Sequence, residues 1–136
     1  MADGSWALRV CNGAALAPNL ERMLHEIGMT PVHVDSCFGA SARLQNSAPV
    51  VILTDDVLPD GTWADVLKAA ASTPANPPVI VVSRLPDIEL YLDVLEAGAY
   101  DFIVPPIGPA ELGHIVGNVA RKVSLPDKLR CAKAGS

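Results

Sequence analysis

The sequence predicts an α/β fold, a three-layer (βα)5 sandwich built on a parallel sheet. Short apolar or β-rich runs recur along the chain, and patterns typical of amphipathic helices separate them. Strands that alternate with helices in this way form parallel sheets covered by helices on both faces. The 136 residues, half of them hydrophobic, suffice for one domain with a real core.

Five runs account for the strands of this sheet. They lie at residues 6–10, 31–34, 50–53, 78–82 and 101–104. Right-handed crossovers between them give the flavodoxin-like strand order 2-1-3-4-5, counted along the chain. In that order the loops after strands one, three, four and five meet at the carboxyl edge of the sheet. We therefore expect residues 11–14, 55–61, 83–86 and 105–108 to lie close together.

Three of the intervening helices have clear boundary signals. Pro18, Pro86 and Pro109 stand near their starts, and Gly28 and Gly98 supply left-handed stops for the first two. The predicted buried stripes are Leu20, Met23, Leu24 and Ile27; Ile88, Tyr91, Leu92 and Leu95; and Leu112, Ile115, Val116, Val119 and Val123. Weaker patterns predict helices over residues 39–44 and 63–71. We assign residues 1–125 to the domain and 126–136 to a tail or the start of a linker.

Composition limits the function classes. A net charge of −5 and a pI near 5.0 argue against direct binding of nucleic acid. No apolar run approaches the ~20 residues that span a bilayer, and the amino terminus lacks the pattern of a signal peptide, so we expect no membrane association. The odd set of Cys11, Cys37 and Cys131 fits a reducing, cytoplasmic location without disulfides.

Two sequence motifs contain candidate functional residues. The first is Val50-Val-Ile-Leu-Thr-Asp-Asp-Val-Leu-Pro-Asp-Gly61, an apolar strand that ends in carboxylates and then turns. It places Asp55 at the carboxyl edge of the sheet, where open α/β folds bind and react with ligands. The second is Glu96-Ala-Gly-Ala-Tyr-Asp-Phe-Ile-Val-Pro-Pro106. Taken alone, Asp55 could equally be an aspartate that initiates a turn.

Together these motifs resemble those of the bacterial response-regulator receiver (CheY-like) domains of two-component phosphorelays. The resemblance extends from about Leu8 to Val123. The resemblance implies that Asp55 occupies the position of the phospho-acceptor, whose carboxylate attacks a phosphohistidine. It also implies switch positions at Ser83 and Phe102, which would follow the phosphoryl group. Without the resemblance, Ser83 is an ordinary strand-end hydroxyl and Phe102 an ordinary core aromatic.

The chain departs from the family at three positions. Cys11 and Asn12 stand in place of an acid pair, and Pro105 stands in place of a lysine. Mg²⁺ prefers oxygen ligands, and Asp55, the Asn12 side chain and the Val57 carbonyl could supply them with one formal charge. We therefore predict that Mg²⁺ binding is weak or absent.

Arg84, which directly follows Ser83, is a candidate cation to replace the missing lysine. The simpler alternative is a surface arginine that points to solvent or pairs with Asp87.

The resulting hypothesis is a pseudo-receiver impaired in phosphorylation, which acts by protein–protein contact. Its partners would be a histidine kinase or a phosphotransfer protein, with a possible homodimer through the fourth helix, fifth strand and fifth helix. One alternative is a working receiver that is phosphorylated on Asp55 with weak Mg²⁺, and another is a flavodoxin-like module that binds a small ligand. An enzyme is not predicted, since nucleotide-binding and phosphatase motifs are missing. His25, His33 and His114 are scattered over two helix patterns and a strand, so a metal cluster is not predicted either.

Overall fold

Five parallel strands form the central sheet, as the sequence predicts. The structure is a computed structural model that describes residues 5–12 and 19–124. In chain order its strands are β1 (Trp6–Val10), β2 (Thr30–Val34), β3 (Val51–Asp55), β4 (Val57–Leu58), β5 (Gly61–Thr62), β6 (Val79–Val82) and β7 (Asp101–Ile103). The order in the main sheet is β2-β1-β3-β6-β7, with every pair parallel. This is the predicted 2-1-3-4-5 order once the β4–β5 hairpin is left out of the count.

Five helices cover the sheet. They are α1 (Leu20–Glu26), α2 (Cys37–Asn46), α3 (Trp63–Ala71), α4 (Ile88–Glu96) and α5 (Pro109–Ser124). Gly28 has φ +95° after α1 and Gly98 has φ +110° after α4, which confirms both as left-handed helix stops. Pro18, Cys131, the Val123 side chain and the predicted domain boundary lie outside the described residues.

Alternating residues of the central strands fill two separate cores. Leu53 of β3 and Ile80 of β6 pack against α1 and α5 on one face, while Ile52 of β3 packs against α2, α3 and α4 on the other. All five residues of β3 are buried, including the polar Thr54. Burial of each large apolar side chain stabilises the fold by about 1.5–3 kcal/mol. The central strand is therefore packed against helices on both faces.

The predicted stripe of α4 is wrong. Ile88 and Leu92 have 69% and 57% of their surface exposed, Tyr91 is also exposed, and the buried residue of this helix is Val94. Six of the eight residues from 88 to 95 are apolar or aromatic, so the helix is apolar on more than one side. Periodicity alone then does not determine which side faces the sheet. The result is an exposed apolar face on α4.

The β4–β5 hairpin was not predicted, because two-residue strands are too short for an alternating pattern. It closes the loop after β3 and leads into α3 through a capping box between Thr62 and Asp65. Asp60 lies in the turn of this hairpin and accepts hydrogen bonds from the backbone N–H groups of Cys37 and Phe38 at the start of α2. These bonds lower the pKa of Asp60, whereas burial and the nearby Asp60 carboxylate raise the pKa of Cys37 to about 11.

Candidate functional site

A cleft lies at the carboxyl edge of the sheet, where the sequence places its candidate site residues. Its volume is about 390 Å³. The lining residues are Asn12, Asp55, Asp56, Val57, Ser83, Arg84, Leu85, Asp87 and Leu90. The ends of β1, β3 and β6 thus bring together the acceptor position, one position of the missing acid pair, one switch position and the candidate replacement cation.

Asp55 at the end of β3 is held by a buried ion pair. Arg9 Nη2 donates to Asp55 Oδ1 at 2.8 Å, and the two side chains are only 2% and 9% exposed. Arg9 Nη1 also donates to the carbonyl oxygens of Leu53 and Val10, at 3.2 and 3.1 Å. The guanidinium is therefore bound on three sides within the sheet layer. It holds the carboxylate against β1.

The environment of Asp55 acts on its pKa in two directions. Burial raises the pKa of the carboxyl above its ordinary value, while the Arg9 guanidinium and a hydrogen bond from the Asn12 backbone N–H act to lower it. Burial likewise raises the pKa of the neighbouring Cys11 thiol. Both groups thus lie in a poorly solvated part of the edge, where electrostatic contacts are stronger than in water.

Arg9 contacts the candidate site but was not predicted from the sequence. It lies inside the apolar run of β1, where it reads as an isolated charge on a strand. A charged side chain in a central strand is almost never fully buried unless an acid pairs with it. That rule could have signalled a partner at the end of the adjacent strand. Asp55 meets the requirement because Arg9 and Leu53 lie side by side in the β1–β3 register.

The predicted switch serine is already engaged by neighbouring groups. Ser83 Oγ lies 3.2 Å from Asp56 Oδ2 and 3.2 Å from the Leu85 carbonyl oxygen, and it accepts a hydrogen bond from the Leu85 N–H. Asp56, which also lines the cleft, therefore contacts this hydroxyl. Ser83 itself is 2% exposed.

Of the remaining predicted residues, Phe102 and Pro105 lie outside the cleft, whereas Arg84 lines it. Phe102 on β7 makes an edge-to-face contact with Tyr91 of α4, with ring centroids 5.7 Å apart. Pro105 is joined to Pro106 by a cis peptide bond, and neither it nor Phe102 lines the cleft. Arg84 lines the cleft with an exposed side chain. Among the described residues, the cation that contacts Asp55 is Arg9.

Comparison with known proteins gives the family. Residues 12–117 match the model of the response regulator receiver domain, which is most of the chain. The chain belongs to the response regulator receiver domain family. This assignment agrees with the resemblance of the two sequence motifs and with the parallel five-stranded sheet.

Individual relatives support the assignment. The receiver domain is 29% identical over 87 residues to the transcriptional regulatory protein CitB of Klebsiella pneumoniae, which covers 64% of this chain and 37% of CitB. The chain spans less than half the length of the curated relatives it matches. Receiver domains are signalling modules that interact with histidine kinases or phosphotransfer proteins.

Solved structures show the same fold. The receiver domain of the Francisella response regulator 1452 superposes with a TM-score of 0.77 at 21% identity, covering 88% of this chain and 99% of that one. The receiver domain of the sensor histidine kinase PA1611 from Pseudomonas aeruginosa PAO1 superposes with a TM-score of 0.72 at 19% identity, covering 86% and 98%. That structure contains a magnesium ion coordinated in the active site cleft. Within the described part of this receiver domain, no helix is long and apolar enough to cross a membrane.

Proposed function

We propose that this receiver domain is a pseudo-receiver, in which the Arg9–Asp55 ion pair keeps the acceptor position unphosphorylated and signalling proceeds by protein–protein contact. The observation that carries the proposal is the 2.8 Å contact between Arg9 Nη2 and Asp55 Oδ1 with both side chains buried. A carboxylate must present an oxygen to the incoming phosphorus atom before it can act as a nucleophile. Here Oδ1 is bound to the guanidinium, and the carboxylate also accepts a hydrogen bond from the Asn12 N–H. Both donors stabilise the negative charge and so make the carboxylate a weaker nucleophile.

The charges and the metal-ligand types around Asp55 support the same conclusion. A metal ion at Asp55 would lie beside the positive charge of Arg9, and like unit charges at ~4 Å near a surface repel by about 4 kcal/mol. Asn12 offers a neutral oxygen in place of a carboxylate, and Pro105 removes the cation that would face the phosphoryl group. Asp56 is a second carboxylate in the cleft, but one of its oxygens is turned to Ser83. These residues fit Mg²⁺ poorly, and we propose that the domain binds it weakly or not at all.

Incubation with acetyl phosphate and Mg²⁺ is expected to leave the intact mass of the domain unchanged. The measurement is mass spectrometry before and after hydroxylamine, which cleaves acyl phosphates, with a working receiver domain as the positive control. An Mg²⁺ titration followed by NMR shifts of the Asn12 and Asp55 amides should show no saturation in the low millimolar range. Stoichiometric, hydroxylamine-sensitive mass gain that Asp55→Asn abolishes would instead establish a working phospho-acceptor receiver.

The exposed face of α4 supports a contact function. Ile88 and Leu92 are more than half exposed, and Tyr91 links them to β7 through its contact with Phe102. Contiguous exposed apolar side chains on a small domain commonly mark an interaction surface. We propose that α4, β7 and α5 form this surface and that a second copy of the domain binds there in a symmetric dimer.

Analytical ultracentrifugation is expected to show a concentration-dependent dimer that Leu92→Glu converts to monomer. The new carboxylate would be desolvated at the centre of the interface, which is unfavourable without a partner. Phe38→Glu is the matched control, because Phe38 is 78% exposed on a different helix, α2, and should leave the dimer intact. A wild-type domain that stays monomeric at the highest concentration and gives no crosslinks on α4 would refute the dimer.

A further inference from the structure

A second cluster of ligand-type side chains lies at the same edge of the sheet, next to the cleft. Cys11 follows β1, His33 lies on β2 and Glu21 is in the first turn of α1. Their ligand atoms, one from each side chain, all lie within 4.8 Å of one another. Sequence spacing did not predict this group, since parallel pairing of β1 and β2 is what brings Cys11 and His33 together.

We propose that Cys11, Glu21 and His33 form a binding site for a zinc-class transition metal ion. A thiolate, an imidazole and a carboxylate are the three ligand types that Zn²⁺ takes in proteins, and three protein ligands with one solvent position is a common arrangement. Mg²⁺ and Ca²⁺ prefer oxygen ligands throughout, so the sulfur and nitrogen donors select against them. The ligand types of this site therefore differ from the oxygen ligands that surround Asp55.

The geometry requires only small side-chain movements. Bond lengths of about 2.0–2.3 Å in a tetrahedral Zn²⁺ site put ligand atoms somewhat under ~4 Å apart. Cys11 is buried and fixed by the sheet, whereas Glu21 is half-buried and His33 is exposed, so these two can close around an ion. Binding replaces the S–H bond of Cys11 with a metal–sulfur bond and releases the proton to solvent.

A backbone contact orients the histidine. His33 Nε2 lies 3.0 Å from the Cys11 carbonyl oxygen. In the tautomer that donates from Nε2 to this carbonyl, the ring lone pair lies on Nδ1 and is available to a metal. A second ring nitrogen bonded to a backbone carbonyl is a common feature of metal-binding histidines, because it fixes the ring and raises its basicity. The structure thus provides both a ligand set and support for one of its members.

The test is titration of the full chain with Zn²⁺ alone under reducing conditions, by calorimetry and by competition with a chelator. We expect one equivalent to bind, and His33→Ala and Glu21→Gln each to weaken affinity by about tenfold or more, given that even outer-shell changes cost about 10–100-fold. Both side chains are at least partly exposed, so these variants should fold. His25→Ala, an exposed histidine at the other end of α1, is the matched control and should bind like the wild type.

Co²⁺ substitution provides a readout that is specific for the cysteine. Co²⁺ bound at this site should show a thiolate-to-metal charge-transfer band that Cys11→Ser abolishes and that Cys37→Ser and Cys131→Ser retain. Three results would each overturn the proposal: no saturable binding, a Co²⁺ spectrum without the thiolate band, or an affinity unchanged in both His33→Ala and Glu21→Gln. None of them depends on whether Asp55 accepts phosphate, so the two proposals stand or fail separately.

Discussion

Replacement of Arg9 with methionine is expected to lower the free energy of unfolding by about 3–5 kcal/mol. Methionine keeps much of the volume of the arginine side chain but removes the charge that neutralises Asp55. The carboxylate would then remain in a buried position, only 6% exposed, without a cation. The carbonyl oxygens of Leu53 and Val10 would also lose their guanidinium donor. Urea denaturation monitored by circular dichroism measures the change.

The double variant Arg9→Met, Asp55→Leu separates the contribution of the ion pair to stability from the cost of leaving one buried charge unpaired. Exchange of a buried pair for apolar residues of similar volume is often neutral or stabilising by about 1–4 kcal/mol, so the double variant should recover most of the stability lost in the single one. Arg22→Met is the matched control, because Arg22 forms an exposed pair with Glu26 at 3.9 Å. Its loss should change stability by no more than about 0.5 kcal/mol. An equally small effect of Arg9→Met would contradict the buried pair.

Replacement of Gly61 with alanine is expected to destabilise the domain by about 1–2 kcal/mol. A Cβ atom at this position would collide with Asp65 Oδ2 and lie 2.9 Å from Cys37 Sγ. Asp65 Oδ2 accepts a hydrogen bond from the Thr62 N–H at 3.0 Å as part of the capping box that starts α3. The carboxylate can move aside only by giving up this bond, so the loss is that of a helix cap together with local crowding. Thermal and urea unfolding both measure it.

Gly117→Ala provides the control with the opposite sign. Gly117 lies inside α5, and a Cβ built there meets nothing within 4 Å. Alanine favours a helix interior over glycine by about 1 kcal/mol, so this variant should be more stable than the wild type. If Gly61→Ala were as stable as Gly117→Ala, the contact between the hairpin and the α3 cap would not be maintained in solution.

The fold was predictable because its signals are local and repeated. Alternation of short apolar runs with amphipathic helices predicts a parallel sheet. Gly28 and Gly98 end their helices by their own backbone conformation, whatever the tertiary contacts around them. The same alternation located Asp55, because the end of a central parallel strand is a fixed place in the fold. Neither inference needed a contact between distant residues.

The features that escaped prediction depend on such contacts. Arg9 and Asp55 are 46 residues apart and meet only through the β1–β3 register, so neither residue type reveals the pair by itself. The exposed face of α4 was assigned to the core because several sides of that helix are apolar, and only packing against the sheet selects Val94. In both cases the local sequence pattern allows more than one arrangement, and the tertiary structure determines which residues pair and which side of the helix is buried.

The buried pair also constrains how this domain can evolve. A lineage that lost Arg9 first would carry an unpaired carboxylate in its interior, and one that lost Asp55 first would carry an unpaired guanidinium. Either intermediate would fall by several kcal/mol in a protein class whose total stability is only about 5–15 kcal/mol. Loss of either partner alone is therefore an unfavourable single step. Among descendants of this chain, we expect positions 9 and 55 to change together or to stay as they are.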